Sequence, residues 1–145
     1  MNEIRPWLYI GQYRDTLDRY SLGLHRIEAM LQLAEAVKQP GIAALYLPVE
    51  DGEPLPFEKL RQGTDFVLNE KREGYRVLIA CGAGQSRSAT FAIAALKESE
   101  DLHLFTAWQA VKLRHPDALP HRALWESLCR YYDESIPFLR LCDPL

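Results

Sequence analysis

Cysteine is scarce in this 145-residue chain: three residues, at positions 81, 129 and 142. So few, so scattered, exclude a disulfide framework as the source of stability. Four histidines, at 25, 103, 115 and 121, show no metal-ligand spacing with one another or with the cysteines, so no metal and no cofactor is expected. No stretch approaches the roughly 18 uncharged apolar residues of a membrane span. Positive charge is not in excess either. Twenty acidic against 17 basic residues give a net charge of −3, with no pull toward nucleic acid or an anionic membrane. The opening Met1-Asn2-Glu3-Ile4-Arg5-Pro6 lacks a signal-peptide pattern. Repeats and low-complexity segments are missing as well. What is present, 48% hydrophobic and 26% charged residues, fits one globular domain over 1–145 with a core of its own.

The chain alternates apolar runs and amphipathic stretches. Trp7-Leu8-Tyr9-Ile10 reads as a short strand ended by Gly11, and residues 12–25 as loop and a short helix. Residues 26–37 conflict: Ala, Leu, Met and Glu favour a helix by propensity. Residues 42–49 form a continuous apolar run of strand length, suited to a buried parallel strand. Residues 50–56 hold two prolines and a glycine and form a loop. Residues 57–71 read as an amphipathic helix, with Gly63 a weak point and Gly74 the stop. A strand over 75–80, a helix from Arg87 to about Glu98, a helix over 104–114 with Trp108 and Val111 inward, and a helix opened by Pro120 and ending near Tyr132 complete the pattern. Residues 133–145 are expected to be a packed C-terminal tail. Strands alternating with helices argue for an α/β domain, whose ligands bind at the C-terminal ends of strands.

One such end carries the chemistry. Five residues separate Cys81 from Arg87 in Ala80-Cys81-Gly82-Ala83-Gly84-Gln85-Ser86-Arg87-Ser88. An apolar strand leads in and a small-residue helix follows. Strand, glycine loop and helix start aim several backbone N–H groups at one point, where an anion fits. The same dipoles stabilise a thiolate on Cys81. The planar fork of Arg87 grips two phosphate oxygens. Five intervening residues let the chain turn once around a tetrahedral oxyanion, with Gly82 and Gly84 permitting close approach. Ser88 is placed to donate a hydrogen bond to the sulfur. The plainer reading, a buried cysteine before a helix, leaves the glycines, serines and arginine unexplained.

This segment resembles the signature loop of cysteine-dependent protein tyrosine phosphatases, and the chain is similar to their dual-specificity branch over most of its length. Residues 4–11 look like that branch's opening strand, and Leu47-Pro48-Val49-Glu50-Asp51 like the strand and loop carrying its general acid. Arg114-His115-Pro116-Asp117-Ala118-Leu119-Pro120 looks like the loop before its last helix. The resemblance implies a central, mostly parallel twisted sheet of about four to five strands flanked by helices. It makes residues 27–33 the second strand, against their helix propensity. Two departures stand out. The family usually has His before the nucleophile, where this chain has Ala80, so thiolate stabilisation rests on the loop amides and Arg87. Pro120 is often followed by an Asn that braces the loop; here it is His121, either a brace or an exposed residue at a helix N-terminus.

By resemblance, Cys81 attacks phosphorus and forms a cysteinyl-phosphate, and Asp51, about thirty residues earlier, protonates the leaving oxygen and then serves as base for water. Glu50 and Glu53 compete for that role. Gly82, Ala83, Gly84, Gln85, Ser86 and Arg87 form the substrate cradle. The interior loop residues bear no charge, which argues for a phosphoprotein or a simple monoester over a polyphosphorylated head group. Trp125, Tyr131 and Tyr132 read as packing, and Cys129 and Cys142 as buried packing rather than partners of an oxidised Cys81. The expected activity is hydrolysis of phosphotyrosine, with phosphoserine and phosphothreonine as further substrates, in the cytoplasm, where a free thiol survives. A phosphate-docking pseudophosphatase is the alternative, favoured by Ala80. A sulfur-transfer or arsenate-reducing enzyme is a third reading, and it has no need of an acid at Asp51.

Overall fold

The computed structural model describes residues 1–143. Five strands and seven helices follow in order: β1 (Asn2–Arg5), β2 (Leu8–Gln12), α1 (Tyr13–Leu17), α2 (Arg19–Leu24), β3 (Ile27–Gln32), β4 (Ala43–Tyr46), α3 (Phe57–Arg72), β5 (Arg76–Cys81), α4 (Arg87–Glu100), α5 (Leu104–Arg114), α6 (Arg122–Tyr132) and α7 (Leu139–Cys142). They form an α/β fold with one sheet in the order β1-β2-β5-β3-β4. Only the β1–β2 pair is antiparallel.

The central strand explains the arrangement. Side chains of β5 alternate between two faces. Val77, Ile79 and Cys81 enter the larger core with α3, α4, α5 and α6 residues, whereas Leu78 and Ala80 enter a smaller one with Tyr9, Leu22, Ile27 and Met30. Both faces are covered, so the strand reads as an unbroken apolar run. In α4, every residue from Ser88 to Leu96 is buried. Gly63 is less a weak point of α3 than a contact requirement: a Cβ there would lie 2.4 Å from the Phe91 ring.

Several expectations need correction. Gly11 does not end the first strand but lies within β2, because β2 pairs with β5 as far as Gln12 opposite Cys81. The chain before it adds β1, so residues 4–11 are a hairpin rather than one strand. The 42–49 run is parallel but not buried: β4 is the sheet edge, with Ala43, Ala44 and Tyr46 exposed, and only the following Leu47 and Val49 enter the core. Residues 27–32 do form the strand that the resemblance implies, against their helix propensity, since β4 and β5 pair along both their edges. The 12–25 segment holds two short helices rather than one.

The tail packs over its described part; residues 144–145 lie outside the described region. Leu141 is buried, and the Trp125 indole N–H donates to the Ile136 carbonyl at 2.8 Å. The Glu134 carboxylate takes the Lys97 ammonium and, at 2.9 Å, the Leu104 N–H, tying the tail to α4 and α5. Burial alone would push the Glu134 carboxyl up, but these two donors outweigh it and hold it below the ordinary glutamate value.

A carboxyl depressed in the folded state stabilises fully above its unfolded value and loses that contribution as pH falls through the folded one. Glu134→Gln should therefore lower stability by about 1–3 kcal/mol at neutral pH, the range for hydrogen bonds to charged groups and for a buried donor left unpaired. The gap from the parent should narrow below about pH 4. Urea melts at both pH values measure this, and a gap that widens in acid would contradict it.

Candidate active site

The parallel pairing of β5 with β2 and β3 carries Cys81 to the C-terminal end of the sheet, where it is 2% exposed. Its Sγ lies 3.3 Å from the Ser88 Oγ in the first turn of α4. A neutral thiol donates in this pair; a thiolate accepts from the hydroxyl.

Between them the backbone is sorted by polarity. The Gly82 carbonyl accepts from the Tyr13 N–H at 3.4 Å, and the Gln85 carbonyl from the Leu119 N–H at 2.9 Å. The Ser86 carbonyl takes both the N–H and the hydroxyl of Thr90, at 3.0 and 2.9 Å. The Gly84 carbonyl accepts from His115 Nε2 at 2.6 Å. Among the described residues, no backbone N–H from 82 to 86 donates to a protein acceptor. Carbonyls tied outward and donors left over make an anion cradle. Gly84 is required twice over: its φ is +72°, and a Cβ would sit 2.8 Å from the Gly11 carbonyl oxygen of β2.

Arg87 lies against this loop, since a Cβ on Gly82 would come within 3.2 Å of its Nη2. Its Nη1 donates to the Val49 carbonyl at 3.0 Å, fixing the strand end that leads to Asp51. Asp51 is then joined to the loop directly: the Ser86 hydroxyl donates to its Oδ1 at 2.6 Å and accepts from the His121 N–H at 2.8 Å. Glu50 and Glu53 make no side-chain hydrogen bond or ion pair among the described residues, whereas Asp51 is bonded to the loop.

His121 divides its two expected roles. Its side chain caps α6, accepting from the Ala123 N–H at 3.0 Å, while its backbone N–H braces Ser86. The position before the nucleophile offers no substitute for the usual imidazole. Ala80 is 2% exposed and points away from Cys81 into the smaller core. The three cysteines are free; burial, ahead of every other influence, pushes the Cys129 thiol up, and Cys142 is exposed rather than buried. Trp125 is fully buried, and Tyr131 and Tyr132 bond to Arg61 and Glu98, so all three serve packing.

One contributor escaped the sequence reading. His115 donates from Nε2 to the Gly84 carbonyl and accepts at Nδ1 from the Asn2 side-chain amide at 2.7 Å. With the Asn2 amide donating to Nδ1, the proton that meets the Gly84 carbonyl sits on Nε2. The ring joins β1 and the loop after α5 to the tightest point of the cradle. The only signal was a histidine in the pre-α6 loop, without an indication of what it faces.

These features define an α/β domain with a cysteine at the base of a loop whose backbone N–H groups are left without protein acceptors. The chain belongs to the dual specificity phosphatase family, whose catalytic-domain model matches residues 8–134. It is 29% identical over 140 residues to rat dual specificity protein phosphatase 5, covering 93% of this chain and 36% of that protein. The chain thus spans about a third of that relative's length. The crystal structure of human DUSP28 matches with a TM-score of 0.84 at 27% identity, covering 92% of this chain and 96% of that one. That of a mouse dual specificity phosphatase complexed with zinc tungstate matches with a TM-score of 0.85 at 28% identity, covering 91% and 86%. Among the described residues, no helix is long and apolar enough to cross a membrane.

Removing the His115 donor should loosen the Gly84 peptide. His115→Ala is expected to weaken tungstate binding about two- to tenfold, the equivalent of one hydrogen bond. His115→Gln, which keeps a donor, should recover part of it. Calorimetric titration decides, and equal affinity in parent and alanine variant would remove His115 from the site.

Proposed function

We propose that this chain hydrolyses phosphate monoesters, phosphotyrosine first and phosphoserine and phosphothreonine as well, on protein substrates in the cytoplasm. The observation that carries this reading is the sorted loop: carbonyls anchored outward, N–H groups of 82–86 without protein acceptors, and a cysteine sulfur at its base.

The substrate's phosphoryl oxygens accept from these N–H groups and the Arg87 guanidinium, which stabilise the negative charge that the transition state spreads over those oxygens. Cys81 Sγ attacks phosphorus as thiolate. A sulfur–phosphorus bond forms and the ester phosphorus–oxygen bond breaks. Asp51 gives its proton to the departing oxygen. As carboxylate it then takes a proton from the water that attacks the cysteinyl-phosphate, and inorganic phosphate leaves. Ser88 donates its hydroxyl proton in a hydrogen bond to the sulfur, which stabilises the thiolate as leaving group in this second step. Ser86, bonded to Asp51 Oδ1, holds the acid over the cradle. The uncharged side chains of Gly82, Ala83 and Gln85 add no cation for a second phosphate, which fits a monoester. The mouse relative's structure carries tungstate, a tetrahedral oxyanion of the kind such a loop accommodates. A docking-only role gains nothing from Ser88 at the sulfur or from an acid held by Ser86.

Cys81→Ser should abolish phosphate release yet bind tungstate, because the amides and Arg87 remain; Arg87→Ala should lose much of both. Turnover retained by the serine variant, or unchanged tungstate affinity in the alanine variant, would overturn the respective role.

Asp51→Asn separates the acid from the cradle. Turnover of a phosphoserine peptide, whose alkoxide needs a proton, should fall about a hundredfold or more. Turnover of p-nitrophenyl phosphate, whose phenolate leaves unaided, should fall far less. Equal losses on the two substrates, or the selective loss appearing instead in Glu53→Gln, would move the assignment.

A further inference from the structure

A groove of about 390 Å³ opens beside the cradle, lined by Asp51, Gln85 and Ser86 together with residues 119–122 and Phe138. Phe138 brings the C-terminal tail into its wall. Phe138 stands there because the tail is fastened on both sides of it, by the Trp125–Ile136 hydrogen bond before and by buried Leu141 after. The Arg122 guanidinium lies 4.9 Å from the centre of the Phe138 ring. Arg122 is exposed and makes no ion pair or side-chain hydrogen bond among the described residues. Arg5 and Arg61 pair with glutamates and Lys97 with Glu134, whereas Arg122, like Arg140 on Phe105, stacks on a ring without an ion pair. The one carboxylate lining the groove, Asp51, is engaged by Ser86.

We infer that this groove receives an acidic side chain flanking the phosphorylated residue of a protein substrate, with Arg122 as the group that selects it. The inference rests on the phosphatase reading, in which a phosphorylated side chain enters beside Ser86 and its neighbours must cross the adjoining surface. Apolar Leu119, Pro120 and Phe138 supply contact for the aliphatic part of a Glu or Asp side chain, and the cation supplies the charge complement. Stacking on Phe138 restricts Arg122 to the groove wall, so less freedom is lost when it pairs. The arrangement also gives the tail a role beyond packing: it carries one wall of the substrate groove.

The test uses phosphotyrosyl peptides that differ only in Glu or Gln at single positions from two before to two after the phosphotyrosine. Binding to the full chain carrying Cys81→Ser is followed by fluorescence anisotropy. The Glu peptide should bind about two- to fivefold more tightly at one or more positions, as expected for one solvent-accessible ion pair, and salt should erode the difference. Adding Arg122→Gln should bring the ratio to about one, and Arg122→Glu should invert it. Phe138→Leu, which keeps an apolar side chain but removes the ring under the guanidinium, should reduce it. Equal affinity for Glu and Gln at every position, a preference that survives Arg122→Gln, or no binding of any peptide would overturn the proposal. Phosphate release by the parent chain is scored separately. If none is released while the Arg122-dependent preference holds, catalysis falls and the groove stands.

Discussion

The backbone between Cys81 and Arg87 turns its carbonyls to the protein and keeps its N–H groups for something else, and most of the surrounding structure serves that division. An unpaired peptide donor in a folded chain costs free energy unless water or a ligand meets it, so such a loop persists only when other contacts hold it in place. Here each outward carbonyl is held by a different part of the chain: Tyr13 at the start of α1, His115 and Leu119 in the loop between α5 and α6, Thr90 within α4. The ligand site is therefore organised before the ligand arrives. An oxyanion meets donors whose orientation was already fixed by folding, which is the condition under which hydrogen bonds favour a transition state over bulk water.

The same logic accounts for Ala80. The two faces of the central strand do different work, and adjacent residues belong to different faces. Cys81 faces the helices that build the loop; Ala80 faces the smaller core beneath α2. An imidazole at 80 would enter that filled space rather than the cradle. The polar contacts at the loop come from elsewhere: the Ser88 hydroxyl meets the sulfur, and His115 bonds the Gly84 carbonyl. Histidine has not vanished from the site; it supports the loop from outside, by way of its backbone carbonyl.

Asp51, Ser86 and His121 form a second hinge point of the site. Their chain of hydrogen bonds joins the acid loop, the signature loop and the start of α6 through one hydroxyl. Arg87 adds a parallel tie through the Val49 carbonyl. The loop after Cys81 and the loop that carries Asp51 are thus positioned by one another. The tail extends the arrangement, since the contacts that lock Glu134, Ile136 and Leu141 also place Phe138 in the wall of the groove beside α6.

The sequence by itself determined the loop and its neighbours. A strand of apolar residues, glycines at 82 and 84, and an arginine six residues past the cysteine are local features, and local geometry follows from them. The helices over 57–72, 87–100, 104–114 and 122–132 were legible for the same reason: their periodicity and their punctuation by Gly74 and Pro120 are properties of short segments. Tertiary structure decided what depends on neighbours. Propensity pointed residues 27–32 toward a helix, and pairing with two strands made them one of the sheet. The apolar run at 42–49 looked buried, but burial depends on which strand lies at the edge, and no periodicity encodes that. The bond between Asp51 and Ser86, 35 residues apart, which neither Glu50 nor Glu53 shares, exists only in the folded chain. His115 and Arg122 were plain polar residues until the fold set one behind Gly84 and the other above Phe138. Side-chain identity fixes what a residue can donate or accept; only the packed chain fixes which partner stands within reach.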